Sequence, residues 1–131
     1  MEVRFAPNAQ AAQRMTTEEL RNNFLIDNLF IEGNITLVYS DVDRAIVGGI
    51  VPASKVLQLL SSKKEMAADF FCERREIGVI NAGGNGSITV DGKLFEMQKK
   101  DVLYIGRGAK EIFFSSAKGN SSFAAVCENM L

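Results

Sequence analysis

The charged cluster with the most distinct pattern in this sequence is the run Glu73-Arg74-Arg75-Glu76. An arginine guanidinium matches a carboxylate through two parallel hydrogen bonds, so Arg74 or Arg75 could bind an acidic ligand. Along a strand, Glu73 and Arg75 would share one face, and Arg74 and Glu76 would share the other. The run is equally typical of ion pairs at a sheet rim or a subunit interface, and both interpretations stay open.

Lys110 and Glu111 form a second candidate group, an acid and a base that could move a proton between substrate atoms. Adjacent residues of a strand point to opposite faces, so these two side chains cannot reach one substrate atom without a bulge. Glu111 alone remains a candidate for a carboxylate that lines a pocket. The residues themselves therefore predict no catalytic group.

The absence of histidine excludes whole classes of chemistry. Serine and cysteine triads that use an imidazole base are impossible, as is a zinc site that contains histidine. Cys72 and Cys127 are the only cysteines, too few for a four-cysteine zinc site. A single disulfide between them is the alternative to the state that we expect, two reduced and mostly buried thiols. We predict neither a metal site nor a cofactor within this chain.

The composition is that of a single globular domain of 131 residues, and we expect one domain over 1–131. The net charge of −1 argues against binding to a nucleic-acid backbone, which needs clustered positive charge. No apolar stretch is long enough to cross a bilayer, and the first residues lack the apolar run of a signal peptide. We expect a soluble, cytoplasmic protein with neither a nucleic-acid nor a membrane partner.

The elements that would position these residues are mostly short strands. Residues 1–15 read as an arm, and Thr16 and Glu19 form a capping box that predicts a short helix over about 17–25. Residues 54–68 fit a strand or a helix, with 61–65 as a loop. The β-prone runs, separated by turn residues, are Leu29 to Ile31, Ile35 to Tyr39, Ala45 to Val51, Phe70 to Ile80, Val102 to Ile105, Glu111 to Ser115 and Phe123 to Cys127.

The clearest local prediction is a hairpin with the turn Asp91-Gly92. A two-residue turn there pairs Val90 with Lys93 and Ile88 with Phe95. Ile88, Val90, Phe95 and Met97 then point inward, whereas Thr89, Leu94 and Glu96 point outward. The glycine and asparagine cluster over 81–86 predicts a tight turn before this hairpin.

Turn signals every 8 to 12 residues indicate a mainly β protein, an antiparallel sandwich or barrel with a short N-terminal helix. The run from Asp101 to Gly108 resembles a strand of the second half of a cupin (jelly-roll) barrel. Cupins usually carry proline where this chain has Gly106, and a metal-binding histidine where it has Glu111. The resemblance implies a cupin scaffold over 16–131 that lacks the metal ligands.

Longer blocks resemble the N-terminal half of the 5-keto-4-deoxyuronate isomerase family, also called 4-deoxy-L-threo-5-hexosulose-uronate ketol-isomerases. The resemblance covers about residues 16–116, in order and with similar spacing. The blocks that carry it are Leu20 to Asn22, Val38 to Ser40, Asp43 to Gly49, Glu73 to Asn81, Ile88 to Gly92 and Leu103 to Glu111.

This resemblance implies an aldose–ketose isomerisation of a deoxy-keto-uronate in the breakdown of pectin and related polyuronates. The family is a zinc-dependent, two-cupin, hexameric enzyme whose three histidine ligands and one glutamate ligand lie in the C-terminal half. No metal or catalytic residue of the family maps onto this chain, so zinc and the sugar-acid substrate are expected for the complete enzyme. Homo-oligomer formation and packing against that C-terminal half are the expected partnerships.

Three hypotheses follow for this chain. It is the N-terminal half of the isomerase, with a structural role in assembly and an exposed apolar patch that favours self-association. Alternatively, it is a stand-alone, non-metal cupin that binds a sugar acid through Arg74 or Arg75, with Glu73 and Glu111 as further candidates for substrate contact. A metal-free isomerase is the third and least favoured hypothesis.

Overall fold

The computed structural model describes residues 1–117 and 123–129, the last six of these by their backbone alone. The helices are α1 (Ala9–Ala12), α2 (Thr17–Phe24) and α3 (Lys63–Met66). The strands are β1 (Glu2–Arg4), β2 (Asn34–Ser40), β3 (Ala45–Val51), β4 (Leu57–Gln58), β5 (Arg75–Asn81), β6 (Gly86–Val90), β7 (Lys93–Met97), β8 (Val102–Ile105), β9 (Ile112–Ser116) and β10 (Phe123–Asn129).

The strands form two sheets that pack as a sandwich rather than close into one barrel. The larger sheet has six strands in the order β1-β2-β3-β10-β5-β8, and the smaller has four in the order β4-β9-β6-β7. All neighbouring strands are antiparallel except β1 and β2, which are parallel. The predicted mainly β, antiparallel sandwich is confirmed in the described residues, with this one parallel pair added.

The space between the sheets is filled by apolar side chains from both. Each strand alternates inward and outward residues, so every second side chain reaches this core. The largest fully buried side chains include those of Phe71, Phe114 and Phe123, and the Phe114 and Phe123 rings lie 5.4 Å apart. Other members of the core are Ile46, Ile50, Leu59, Cys72, Ile77, Val79, Ile88, Met97, Ile105 and Ile112.

The hairpin prediction is confirmed in its register and in its turn. Val90 pairs with Lys93, and Ile88 pairs with Phe95. Asp91 and Gly92 have φ angles of 47° and 83°, the positive values that a type I′ turn requires at both central positions. Ile88 and Met97 are buried, whereas Leu94 and Glu96 on the outward side are exposed.

The N-terminal segment differs from the predicted featureless arm. It contains β1 and α1, and the Arg4 guanidinium donates a hydrogen bond to the carbonyl of Leu25. The predicted capping box is confirmed: the Glu19 amide donates to the Thr16 hydroxyl, and the Glu19 carboxylate accepts from the Thr16 amide. No strand forms over 29–31, because this segment instead crosses the outer face of the larger sheet.

Two other boundaries differ from the predictions. The strand predicted from Phe70 starts only at Arg75, because residues 70–74 form turns that tuck Phe71 and Cys72 into the core. The ambiguous segment over 54–68 contains β4, and α3 occupies most of the predicted loop. Within the described residues, no helix is both long and apolar enough to cross a membrane.

Candidate functional site

Two of the four predicted binding residues, Glu73 and Arg74, line one surface cavity of about 360 Å³. It lies between the C-terminal end of α3 and the turns that precede β5. Because β5 begins at Arg75, Glu73 and Arg74 are turn residues, and the predicted strand alternation through them is wrong. The complete lining is Lys63, Ala67, Ala68, Asp69, Glu73 and Arg74.

The charges in this cavity are already balanced. Lys63 Nζ lies 2.8 Å from Asp69 Oδ1, and this hydrogen bond raises the pKa of Lys63 and lowers the pKa of Asp69. The Glu73 carboxylate accepts a hydrogen bond of 2.7 Å from the backbone amide of Asp69. Two cations therefore face two carboxylates, and a bound anion would meet no net positive charge.

Arg75 is separate from that cavity. Its guanidinium carbon lies 5.8 Å from the centroid of the Phe71 ring, within the range of a cation–π contact. The neighbouring residue, Glu76, accepts a hydrogen bond from the Tyr104 hydroxyl, and this bond raises the pKa of Tyr104. Both charged side chains thus make contacts within the larger sheet and the turn beside it.

Glu111 lies in the loop just before β9, not within the strand as predicted. The backbone amides of Lys110 and Glu111 donate to Asp91 Oδ1 at 2.9 and 2.8 Å, and the Asp91 amide donates to the Glu111 carbonyl at 2.9 Å. These bonds attach the hairpin turn to the loop. The Glu111 side chain is exposed, and the residue contacts Asp91 through its backbone amide and carbonyl.

Cys72 is a free and fully buried thiol, as predicted. Burial raises its pKa to about 11, with a smaller increase from Asp91 and an opposing effect of Arg75. At neutral pH the thiol is therefore protonated, and a protonated thiol is neither a nucleophile nor a metal ligand. The side chain of Cys127 lies outside the described part, so its predicted state stays a prediction.

The residues present do not fit the zinc site of the isomerase family. The sequence has no histidine, and no group of three or more cysteine, aspartate or glutamate side chains suited to a metal occurs in the described residues. The interior between the sheets, where the core lies, is packed with apolar side chains. Apolar walls supply none of the donors that zinc requires.

A second depression, which the sequence did not single out, lies on the outer face of the smaller sheet. It has a volume of about 480 Å³ and is lined in part by Ser87, Ser115 and Glu96. The Ser87 and Ser115 hydroxyls are 3.4 Å apart, consistent with the pairing of these residues between β6 and β9. The sequence signal for this face was the outward alternation predicted for Thr89 on β6 and for Leu94 and Glu96 on β7.

The chain has a cupin fold. Its structure superposes on the cupin domain of Schizosaccharomyces pombe Cnp3 with a TM-score of 0.52 and 14% identity, over 73% of this chain and 64% of that one. It also superposes on the Cupin_2 domain of an XRE family transcriptional regulator from Enterobacter cloacae. The TM-score is 0.57 and the identity 10%, over 75% of this chain and 97% of that one. Identities this low show the fold alone. No family model matches the sequence.

The sequence relatives are more specific. The chain is 44% identical over 121 residues to the 4-deoxy-L-threo-5-hexosulose-uronate ketol-isomerase of Enterobacter sp. (strain 638). The matched region is 92% of this chain and 44% of that protein. The enzyme of that name from Bacillus pumilus (strain SAFR-032) is 43% identical over 93% of this chain and 44% of that protein. The chain thus has a cupin fold and is similar, over nearly its whole length, to these ketol-isomerases. It spans less than half of their length.

Proposed function

We propose that this chain is the non-metal half of a uronate ketol-isomerase, with a structural role in assembling the enzyme. The observation that carries the proposal is the composition of the core: its described side chains are apolar, and the described residues contain no group of side chains suited to a metal. The sequence relatives support the reaction class, the interconversion of an aldose and a ketose form of a deoxy-keto-uronate.

In this proposal the zinc and the catalytic groups belong to a second cupin half, and no step of the reaction passes through residues of this chain. The same proposal places the enzyme in the cytoplasm, in the breakdown of pectin-like polyuronates, and in a homo-oligomer. This chain would then contribute packing surfaces, and the second half would bind the sugar-acid substrate.

The test is an isomerase assay on the purified chain with zinc supplied, together with a measurement of bound metal. We expect no turnover and no stoichiometric zinc. Co-expression with the segment of the Enterobacter relative that this chain does not match should give an active complex that retains zinc. Turnover by the histidine-free chain alone would contradict the proposal, and Glu73, Arg75 and Glu111 would become the residues to mutate.

A second candidate function is that of a stand-alone cupin that binds a sugar acid, and the observation that favours it is the cavity beside Arg74. Titration calorimetry with galacturonate would distinguish the two functions. The second function requires binding that Arg74→Ala abolishes and that Arg107→Ala, a matched change at an exposed arginine outside the cavity, leaves intact. Because the cavity charges are balanced, we expect no measurable binding by any of the three proteins.

A further inference from the structure

The depression on the outer face of the smaller sheet is built on a row of polar side chains. Its volume of about 480 Å³ lies within the roughly 300–1,000 Å³ of small-molecule sites. Glu96 pairs with Ser87, and Ser87 pairs with Ser115, so the three lie side by side across β7, β6 and β9. The serine side chains are short, and their hydroxyls lie 3.4 Å apart. A ligand that enters the depression would therefore meet two hydroxyl groups with a carboxylate beside them.

The wall at one end of this row is held in place by backbone hydrogen bonds. The Gln98 amide donates to Asp101 Oδ2 at 2.8 Å, and the Asp101 amide donates to the Gln98 carbonyl at 3.1 Å. The Asn81 backbone fixes the same loop on β5, because its amide donates to the Asp101 carbonyl at 2.9 Å and its carbonyl accepts from the Lys100 amide at 2.7 Å. Gln98 and Asp101 both line the depression. The wall is thus preorganised, which lowers the entropic cost of binding a ligand.

The opposite end of the row is apolar. Leu94 also lines the depression, is 58% exposed and lies two residues from Glu96, on the same face of β7. Leu94 pairs with Thr89, and Thr89 pairs with Phe113, so a row with apolar ends runs beside the polar one. A ligand that suits both rows carries hydroxyl groups on its edge and C–H groups on a face, as the ring of a sugar does.

The charges of the lining decide which kind of sugar fits. Among the residues that the structure describes, the lining contains two carboxylates, Glu96 and Asp101, and neither lysine nor arginine. Two carboxylates repel an anion, which disfavours a sugar acid, whereas each of them can accept about four hydrogen bonds from hydroxyl groups. They are too few for a calcium-like site, which takes more oxygen ligands, and the described residues contain no group of three or more acidic or cysteine side chains suited to a metal.

We infer that this depression binds a neutral saccharide, with Glu96 accepting hydrogen bonds from ring hydroxyls and Leu94 contacting the C–H face of the ring. The Ser87 and Ser115 hydroxyls can each donate or accept, so they suit the other hydroxyls of the ring. The inference goes beyond the proposed function, because its ligand is uncharged, unlike a uronate, and because it does not depend on a second cupin half.

The test compares neutral hexoses with charged rings of the same size. Glucose and galactose are neutral, glucuronate is anionic and glucosamine is cationic. Each is titrated into the purified chain, and binding is followed through the backbone amide signals of Ser87, Ser115 and Gln98 in NMR spectra. We expect a neutral hexose to bind with a dissociation constant in the millimolar range and glucuronate to bind about tenfold more weakly or not at all.

Two variants of the lining and one control show where the ligand lies. Glu96→Gln keeps the size of the side chain and removes its charge, and it should weaken binding of the neutral hexose about threefold or more. Ser87→Leu places an apolar side chain in the depression and should abolish binding. Glu111→Gln, a matched change at an exposed carboxylate outside the lining, should leave the dissociation constant unchanged.

Circular dichroism would confirm that each variant folds, and Glu96→Gln keeps the inference testable if Ser87→Leu does not. Unchanged spectra with both neutral hexoses would overturn the inference. Binding of glucosamine alone would overturn it too, because charge would then explain the recognition without the ring. Binding of a neutral hexose that Glu96→Gln and Ser87→Leu weaken no more than Glu111→Gln would place the ligand elsewhere and would also overturn it.

Discussion

Among the residues that the structure describes, Asn81 is the one whose polar side chain is fully buried. Its amide nitrogen donates to the carbonyls of Gly84 and Met97 at 2.8 and 3.0 Å, and its side-chain oxygen accepts from the Gly83 amide at 3.1 Å. One side chain thus satisfies two backbone groups of the turn between β5 and β6 and one at the end of β7. A buried polar group is retained in this way only when its partners are complete.

Replacing Asn81 with alanine should lower the free energy of unfolding by about 3 kcal/mol, because buried backbone groups would lose their hydrogen bonds. Asn85→Ala is the matched control in the same turn, and because Asn85 is exposed we expect a change within about 0.5 kcal/mol. Urea denaturation of both variants measures the difference. Equal losses would show that the Asn81 hydrogen bonds do not stabilise the turn.

Cys72 makes stability depend on pH in the alkaline range. Its pKa is about 11 in the folded chain and 9.0 for an unperturbed thiol, so the unfolded chain loses this proton first as the pH rises. The stabilisation is complete below pH 9 and is lost as the pH rises towards and through 11, by about 2 kcal/mol at pH 11. We expect Cys72→Ala to lose less stability than the wild type between these two pH values, as measured by denaturation at each pH. If the free energy of unfolding fell equally with pH in the wild type and in Cys72→Ala, the thiol would not be buried in its neutral form.

Among the elements, β3 depends on residues 24–31, here called the N-terminal ridge, which cross its outer face. The ridge can lie against β3 because Gly49 has no side chain, and Leu29 occupies the space that a Cβ atom would need. A glycine in a strand usually weakens it, so the close approach of another backbone is the reason for one here. The Arg4 hydrogen bond to the Leu25 carbonyl attaches β1 to the same ridge.

Gly49→Ala should therefore force the ridge away from the sheet and destabilise the fold by about 1–3 kcal/mol. Gly106→Ala is the control, because its Cβ atom would meet nothing closer than a Tyr104 ring carbon at 3.7 Å. Hydrogen exchange over residues 24–31, followed by mass spectrometry, should rise in Gly49→Ala and not in Gly106→Ala. Unchanged exchange in both variants would mean that the contact with Leu29 does not hold the ridge.

Local elements were predictable where a few neighbouring residues determine them. The capping box and the Asp91-Gly92 turn depend on hydrogen bonds and φ angles within four residues, and both are confirmed. The strand predicted from Phe70 is wrong at its start, because aromatic residues favour a strand but here reach the core from turns. Burial of Phe71 by distant strands outweighs that local preference.

At the scale of the whole molecule, apolar side chains stay exposed on both outer faces, among them Leu94 on the smaller sheet and Val102 on the larger. The assembly role proposed above predicts that a second cupin half stabilises this chain, because association favours only the folded form. We expect the melting temperature of the chain to rise by about 4 °C or more when it is co-purified with the segment of the Enterobacter relative that it does not match. An unchanged melting temperature in scanning calorimetry would contradict the assembly role.

The sequence by itself determined the class of fold, the hairpin register, the start of α2 and the exclusion of histidine chemistry. These follow from residue types and from spacings within one or two elements, which need no knowledge of distant contacts. The tertiary structure decided that Glu73 and Arg74 share a charge-balanced cavity, that Arg75 contacts Phe71, and that Glu111 contributes its backbone. It also decided which apolar side chains stay exposed on the two outer faces, such as Leu94 and Val102. Such features depend on which strands become neighbours, and residues far apart in sequence meet only when the two sheets have formed.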